Sequence, residues 1–257
     1  MGVSLRTAVE DGIAIITLAR PHKRNAIDDA TLAELGAFFA APPAAARAAV
    51  LHGEGEHFSA GLDLSALSEQ DAEGGLAHSR AWHRAFRGIE FGAIPVVAVL
   101  HGAVVGGGLE LAAACHIRVA EASAFYALPE GSRGIFVGGG ASVRLSRLIG
   151  VARMADMMLT GRSYAAAEGV ALGFSQYCVP DGEGLAQGIA LARRAAQNTA
   201  MTNFAILQAL PRIAAAEPEA GLLMESLMSA IAQDSREAKQ RLAAFLEGRA
   251  EKVVRPE

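Results

Sequence analysis

An α/β core followed by a helical C-terminal third is the fold class this sequence predicts, and two observations carry it. Through the first half, short apolar runs alternate with helical patterns; from Ala141 onward the helical period takes over. A third feature bears on function more than on fold. Three consecutive glycines, Gly106-Gly107-Gly108, fall where a buried strand passes into a helix.

The elements follow in order. Arg6–Glu10 and Ile13–Leu18 flank Asp11-Gly12, a strong short-range hairpin signal. After the polar loop Pro21-His22-Lys23-Arg24-Asn25, Asp28 or Asp29 caps a helix expected to run to Phe39 and stop at Pro42-Pro43. Ala48–Leu51 reads as a short buried strand, with a turn at Gly53–Glu56. A helix from Leu76 to Phe91 precedes the strand Pro95–Leu100. A helical pattern from Leu109 to Cys115 and a strand at Ile117–Ala120 come next. Helices are then expected at Ala141–Leu148, Arg153–Leu159, Ala165–Ala171, Gly184–Gln197, Thr202–Ala214, Glu219–Ala232 and Ser235–Phe245. No repeat of fixed period and no low-complexity linker interrupts them.

Composition narrows the function. The chain of 257 residues is 52% hydrophobic and 19% charged, which suits a well-buried globular protein. Net charge is -4 and no basic run exceeds two residues, so no nucleic-acid or membrane partner is expected. The most apolar stretch, Ile94 to Cys115, is broken by Pro95, His101, Glu110 and four glycines, unlike a membrane span. Ile13–Leu18 is short and follows acidic residues, unlike a secretory signal, and a cytoplasmic location is expected. Cys115 and Cys178 are read as buried thiols. The seven histidines show no H-x-x-x-H pair and the cysteines no zinc spacing, so no metal is expected.

The glycine run needs a backbone reason. Glycine adopts positive φ and lets a ligand approach the main chain closely. At a helix start, free N–H groups and the dipole favour a negative oxygen. No Gly-Lys-Ser/Thr follows, and the dinucleotide spacing is absent. A second segment, Phe58-Ser-Ala-Gly-Leu-Asp-Leu64, also follows a strand and turn. His57 stands where the first glycine of a hydrolase nucleophile elbow belongs, so Ser59 is not read as a nucleophile, and Gly131-Ser132-Arg133-Gly134 fails the same test.

Together Phe58–Leu64, His101-Gly-Ala-Val-Val-Gly-Gly-Gly-Leu-Glu-Leu111 and Pro129-Glu130 resemble the crotonase (enoyl-CoA hydratase/isomerase) superfamily. Pro21–Asp28, Leu159-Thr-Gly-Arg162 and Phe245-Leu-Glu-Gly-Arg249 support it in the same order. The resemblance implies a spiral of ββα units over residues 1–196 and a helical region, 197–257, for trimer contacts. The assembly would be a homotrimer or a hexamer built as a dimer of trimers. It implies an acyl-CoA thioester as substrate, with no cofactor beyond the coenzyme A that the substrate carries. The backbone N–H groups of Leu62 and Gly107 would form an oxyanion hole. Such donors act where charge develops, and losing one costs about 3–4 kcal/mol of transition-state stabilisation. Lys23, Arg24, Ala60, Asp63, Leu64 and Gly106 would contact substrate or CoA.

Two acids complete the pattern. Glu110 lies in the first turn of a helix whose neighbours, Leu109, Leu111, Ala112, Ala113 and Ala114, leave it no polar face. Glu130 follows Pro129 in a loop. The resemblance makes both catalytic: Glu110 orients and activates water, and Glu130 delivers a proton to the α carbon. Two carboxylates sharing one site do not ionise independently, which holds one protonated near neutral pH. The expected reaction is addition of water to a 2-enoyl-CoA to give a 3-hydroxyacyl-CoA. The alternatives are double-bond isomerisation and thioester hydrolysis or carbon–carbon lysis. Gly138 stands where dienoyl-CoA isomerases carry an aspartate, which speaks against that activity. Val137 replaces a common proline, and His116 a frequent aspartate. Arg133, in a stretch usually apolar, is read as pairing with an acid at a subunit interface, a carboxylated or otherwise polar acyl chain being the alternative. Arg80, Arg84 and Arg87 read as a solvated stripe, and Trp82, Phe86 and Ile89 as core or acyl-pocket lining.

Overall fold

A computed structural model describes residues 4–66 and 71–249; the outermost residues of both expected regions lie outside these. The chain divides into two compact units, Met1–Ala196 and Gln197–Glu257.

In the first unit, β1 (Leu5–Glu10) and β2 (Ile13–Leu18) form an antiparallel hairpin. Asp11 and Gly12 both take positive φ, 50° and 80°, the geometry that tight hairpins of this kind demand. Asp28 caps α1 (Asp29–Ala40), its side chain accepting the Thr31 N–H. β3 (Ala48–Gly53) lies parallel to β2. After α2 (Ala72–Glu90), β4 (Val96–Leu100) joins β3, and β5 (Ala103–Val105) leads into α3 (Gly107–Ala114). β6 (Ile117–Glu121), β7 (Phe125–Ala127) and α4 (Ala141–Ile149) follow. Then come α5 (Val151–Thr160), β8 (Tyr164–Ala165), α6 (Ala166–Leu172), β9 (Tyr177–Val179) and α7 (Gly184–Gln197).

The strands form two sheets, a six-stranded one in the order β1-β2-β3-β4-β6-β9 and a three-stranded one in the order β5-β7-β8. Single bridges, Ile27 to Leu62 and Ser59 to Val104, carry the smaller layer back to earlier turns of the chain. Each turn therefore lays one strand in the large sheet, one short extended segment beside it, and one helix outside. That is a ββα spiral.

Residue alternation sorts the large sheet's faces. Ala48, Val50, Val97, Val99 and Val119 pack with Leu191 and Ala192 of α7, while Ala49, Leu51, Val96, Ala98 and Leu100 enter the main core. With both faces covered, central strands read as unbroken apolar runs, as parallel sheets do.

Ile94–Cys115 holds β4, β5 and α3, and among the described residues no helix is long and apolar enough to cross a membrane. Three expectations need correction. α2 begins four residues before the expected Leu76, because Asp71 caps it by accepting the Gly74 N–H at 2.8 Å; Gly74-Gly75 masks that start in the sequence. Cys178 is exposed, lying on the three-residue edge strand β9, whereas Cys115 is buried. The single helix expected at Thr202–Ala214 is instead α8 (Ala200–Phe204), a π-helical turn at Ala205–Ala209 and α9 (Leu210–Ile213). Pro211 is the reason, since it brings no N–H to the ladder and crowds the preceding turn.

The second unit ends in α10 (Pro218–Asp234) and α11 (Arg236–Leu246). Leu222, Leu223, Leu227 and Ile231 on α10, and Leu242, Phe245 and Leu246 on α11, are exposed.

Candidate active site

A cavity of about 370 Å³ opens in the first unit. Its walls are α2, the Ala60–Leu64 segment, the glycine run and the Glu130–Gly139 loop. Of the residues expected at the site, Ala60, Leu62, Leu64, Gly106, Gly107, Glu110 and Glu130 line it; Lys23, Arg24 and Asp63 do not.

Each glycine of the run has its own reason to lack a side chain. Gly106 takes φ +53°, and a Cβ there would lie 2.7 Å from Glu130 Oε1. A Cβ on Gly107 would stand 2.7 Å from the Trp82 ring and 3.3 Å from the Leu62 N. On Gly108 it would strike the Ser59 carbonyl oxygen at 2.5 Å. The run thus lets α3 close against two loops and leaves its first amides bare.

Two backbone N–H groups of residues on the cavity wall lack a partner among the described residues, one on the glycine run and one on the Ala60–Leu64 segment. Gly106 N–H donates to Ala127 O, while Ile27 N–H donates to Gly61 O and Asp63 N–H to Ile27 O. The N–H groups of Leu62 and Gly107, between these, have no partner among the described residues. Gly107 is also the first residue of α3, where the helix dipole adds positive potential.

The two carboxylates come from different turns of the spiral. Glu110 is 4% exposed; its Oε1 accepts the Gly139 N–H at 2.8 Å and the Ala141 N–H at 2.9 Å. Arg144 steadies that turn, bonding the Gly139 carbonyl at 3.0 Å and pairing with Glu90. Burial pushes the Glu110 carboxyl above its ordinary range and the Glu130 charge adds to this, while the two N–H groups and Arg144 pull it down. Glu130 is 7% exposed, and its Oε2 is buried without a hydrogen-bond partner. Burial raises it too, opposed by its own backbone N–H and by Arg133. Gly131, where an apolar residue is usual, is required here: a Cβ would meet the Met158 carbonyl oxygen at 2.1 Å. The Glu130 loop is thereby pressed against α5.

Ser59 is structural. Its hydroxyl donates to Asn25 O and accepts the Gly61 N–H. Asn25, buried at φ +53°, accepts the Arg20 N–H and donates to Glu54 O and His57 O. Arg24 O accepts the Ala60 N–H, so the Pro21–Asn25 loop holds the Ala60–Leu64 segment from behind. Asp63 bonds Ser65, Arg20 (2.7 Å) and Lys23 (3.2 Å). The Ser65 hydroxyl and then the two cations keep its carboxyl well below the usual carboxylate range. Asp63 is thus already engaged by the protein, and it sets the position of the Lys23 ammonium. His116 also ties the scaffold: its Nδ1 accepts the Val96 N–H and its Nε2 faces Glu90 O.

Trp82 lines the cavity and Phe86 and Ile89 are core; Arg80, Arg84 and Arg87 are exposed, as expected. Sequence reasoning missed His78 and Ser79. His78 accepts the Trp82 indole N–H, and Ser79 donates to Gly138 O at 2.7 Å. His78 had a signal in its spacing from Trp82, four apart on one helix face; Ser79, whose partner lies 59 residues away, had none.

A family model for enoyl-CoA hydratase/isomerase matches residues 8–253. The chain is 32% identical over 251 residues, 96% of each chain, to a probable enoyl-CoA hydratase of Bacillus subtilis. Among solved structures, a Rhodopseudomonas palustris protein described provisionally as an enoyl-CoA hydratase is 60% identical, with TM-score 0.93 over 95% of both chains. An enoyl-CoA hydratase of Bacillus anthracis is 28% identical, with TM-score 0.90 over 96% of this chain and 97% of that one.

Proposed function

The chain belongs to the enoyl-CoA hydratase/isomerase family, and we propose that it adds water across the double bond of a 2-enoyl-CoA thioester, giving a 3-hydroxyacyl-CoA. The observation that carries this reading is the pairing of Glu110 and Glu130 on one cavity with the unpartnered N–H groups of Leu62 and Gly107.

The thioester oxygen sits between the two N–H groups. Water is held by the carboxylates and its oxygen attacks the β carbon. Electrons move through the double bond onto the thioester oxygen, and the enolate is stabilised more than the ground-state carbonyl. Two N–H donors favour the ionised form of Glu110, which accepts from the water. Glu130, with an unpartnered oxygen, carries the proton that goes to the α carbon. Collapse of the enolate completes the 3-hydroxyacyl thioester. Acid, base and oxyanion stabilisation are all this chemistry asks for, so the reading needs no cofactor beyond the substrate's coenzyme A. Lys23 and Arg24, on the loop behind Ala60, are assigned to the CoA end. A homotrimer or hexamer, assembled through the region 197–257, and a cytoplasmic location belong to the same proposal. The exposed leucines of α10 support the assembly.

The test is incubation with 2-enoyl- and 3-enoyl-CoA esters in isotopically labelled water, read by mass spectrometry. Hydration places solvent oxygen in the product. A wild type that shifts the double bond of a 3-enoyl ester without oxygen uptake, and barely responds to Glu110→Gln, overturns the reading in favour of isomerisation.

A further inference from the structure

Arg133 lines the same cavity as Glu110 and Glu130, and although its charge draws the Glu130 carboxyl down, the proposed chemistry gives it no contact with the substrate. Its side chain makes no ion pair or hydrogen bond with any described residue. The other basic group on the wall, His78, is already engaged by Trp82 and lies 3.5 Å from Asp29. Among the described residues lining the cavity, Arg133 is thus the basic group without a hydrogen-bond or ion-pair partner.

Its base is fixed. The Glu130 carbonyl accepts the N–H groups of both Arg133 (3.0 Å) and Ile135 (3.1 Å), so one turn sets the catalytic acid and the arginine together. Gly131 clamps that turn onto α5, and Gly134, at φ +70°, closes it. Leu64, Ile135 and Phe136 supply apolar surface to the same cavity. An uncharged acyl tail ending there would desolvate a cation and give nothing back. A carboxylate would accept two parallel N–H bonds from the planar guanidinium.

We propose that Arg133 is a specificity residue and that the preferred substrate is a CoA thioester whose acyl chain ends in a carboxylate. This rests on the cavity being the acyl-CoA site, so the test reads binding as well as turnover. Hexanedioyl-CoA and hexanoyl-CoA, saturated esters differing in the terminal carboxylate, are titrated calorimetrically into wild type, Arg133→Leu and Arg133→Lys. Hydration of the matching 2-enoyl esters is followed in parallel. Wild type should bind the carboxylated ester more tightly by roughly tenfold, the lower end for a charge-assisted hydrogen bond because Arg133 is exposed. Arg133→Leu should abolish that ratio, and Arg133→Lys should keep part of it. Equal wild-type affinities overturn the proposal. So does an equal loss for both esters in Arg133→Leu, which would place the arginine on the CoA phosphates or in the scaffold. A wild type that discriminates between the saturated esters but hydrates neither enoyl ester overturns the hydratase reading and leaves the role of Arg133 standing.

Discussion

Replacing Glu130 by Gln should make the protein more stable at pH 8 while removing most of its activity. The carboxyl is buried, and one oxygen finds no partner. Burial raises its folded pKa above the unfolded value, so the folded chain binds more protons than the unfolded chain in the interval between the two. The wild-type carboxyl therefore favours folding at low pH, and that contribution is lost as pH rises through the folded pKa. Gln does not titrate. The stability of Glu130→Gln relative to wild type should rise with pH, by at most about 1.4 kcal/mol per pH unit, and then level off. The total is set by how far burial raises the folded pKa above the unfolded one. Urea melts of both proteins from pH 4 to pH 8 measure it, with turnover of a 2-enoyl-CoA followed alongside. Turnover should fall by roughly 10²–10⁴, the range for lost acid–base catalysis. A stability difference that does not change across this pH range would refute the argument, because the carboxyl would then titrate alike in both states.

Three further outcomes are expected. Gly107→Ala keeps the N–H but drives a methyl into the Trp82 ring and crowds the Leu62 N, so turnover should fall about 10²-fold; Trp82, the one tryptophan, should report the clash by a shift in fluorescence, with circular dichroism unchanged. Asn25→Ala removes three bonds to buried or half-buried backbone groups and should cost about 2–3 kcal/mol in a denaturant melt. Light scattering at micromolar concentration should give the mass of three or six chains, and a monomer mass would count against the assembly.

The legible parts of the sequence were those whose physics is local. Asp11-Gly12 announces its hairpin because two positive φ values are needed in succession. Glu110 stands out because an apolar helix offers it no polar face, and it is indeed buried. The short strands β5, β7, β8 and β9 were not read, since two or three residues cannot display a period. Arg20, Asn25, Ser79 and Arg144 were missed for another reason. Their partners, such as Asp63, His57, Gly138 and Glu90, lie far along the chain and meet them only once the spiral has closed. The carboxylate of Asp63 was legible as a motif member, but only the structure shows it bonded to Arg20, Lys23 and Ser65.

The smaller sheet explains why the proposed oxyanion site occurs where it does. Along an extended segment alternate N–H groups point to opposite sides. On one side of Leu62, Gly61 O is taken by Ile27 N–H; on the other, Asp63 N–H is used on Ile27 O. The Leu62 N–H is therefore left pointing away from that bridge. Likewise the bond from Gly106 N–H to Ala127 O is the last of its ladder, and Gly107 begins a helix that cannot supply an acceptor for its own first amides. Two bare donors arise from an edge of pairing and a helix start, brought together because Gly107 and Gly108 let the segments touch. On this account a donor is lost by moving the backbone as surely as by deleting it. Gly108→Ala, whose added methyl meets Ser59 O and not the cavity, should weaken catalysis through kcat while leaving the acyl-CoA affinity near the wild-type value. A variant with unchanged kcat would show that the two donors do not depend on this close approach.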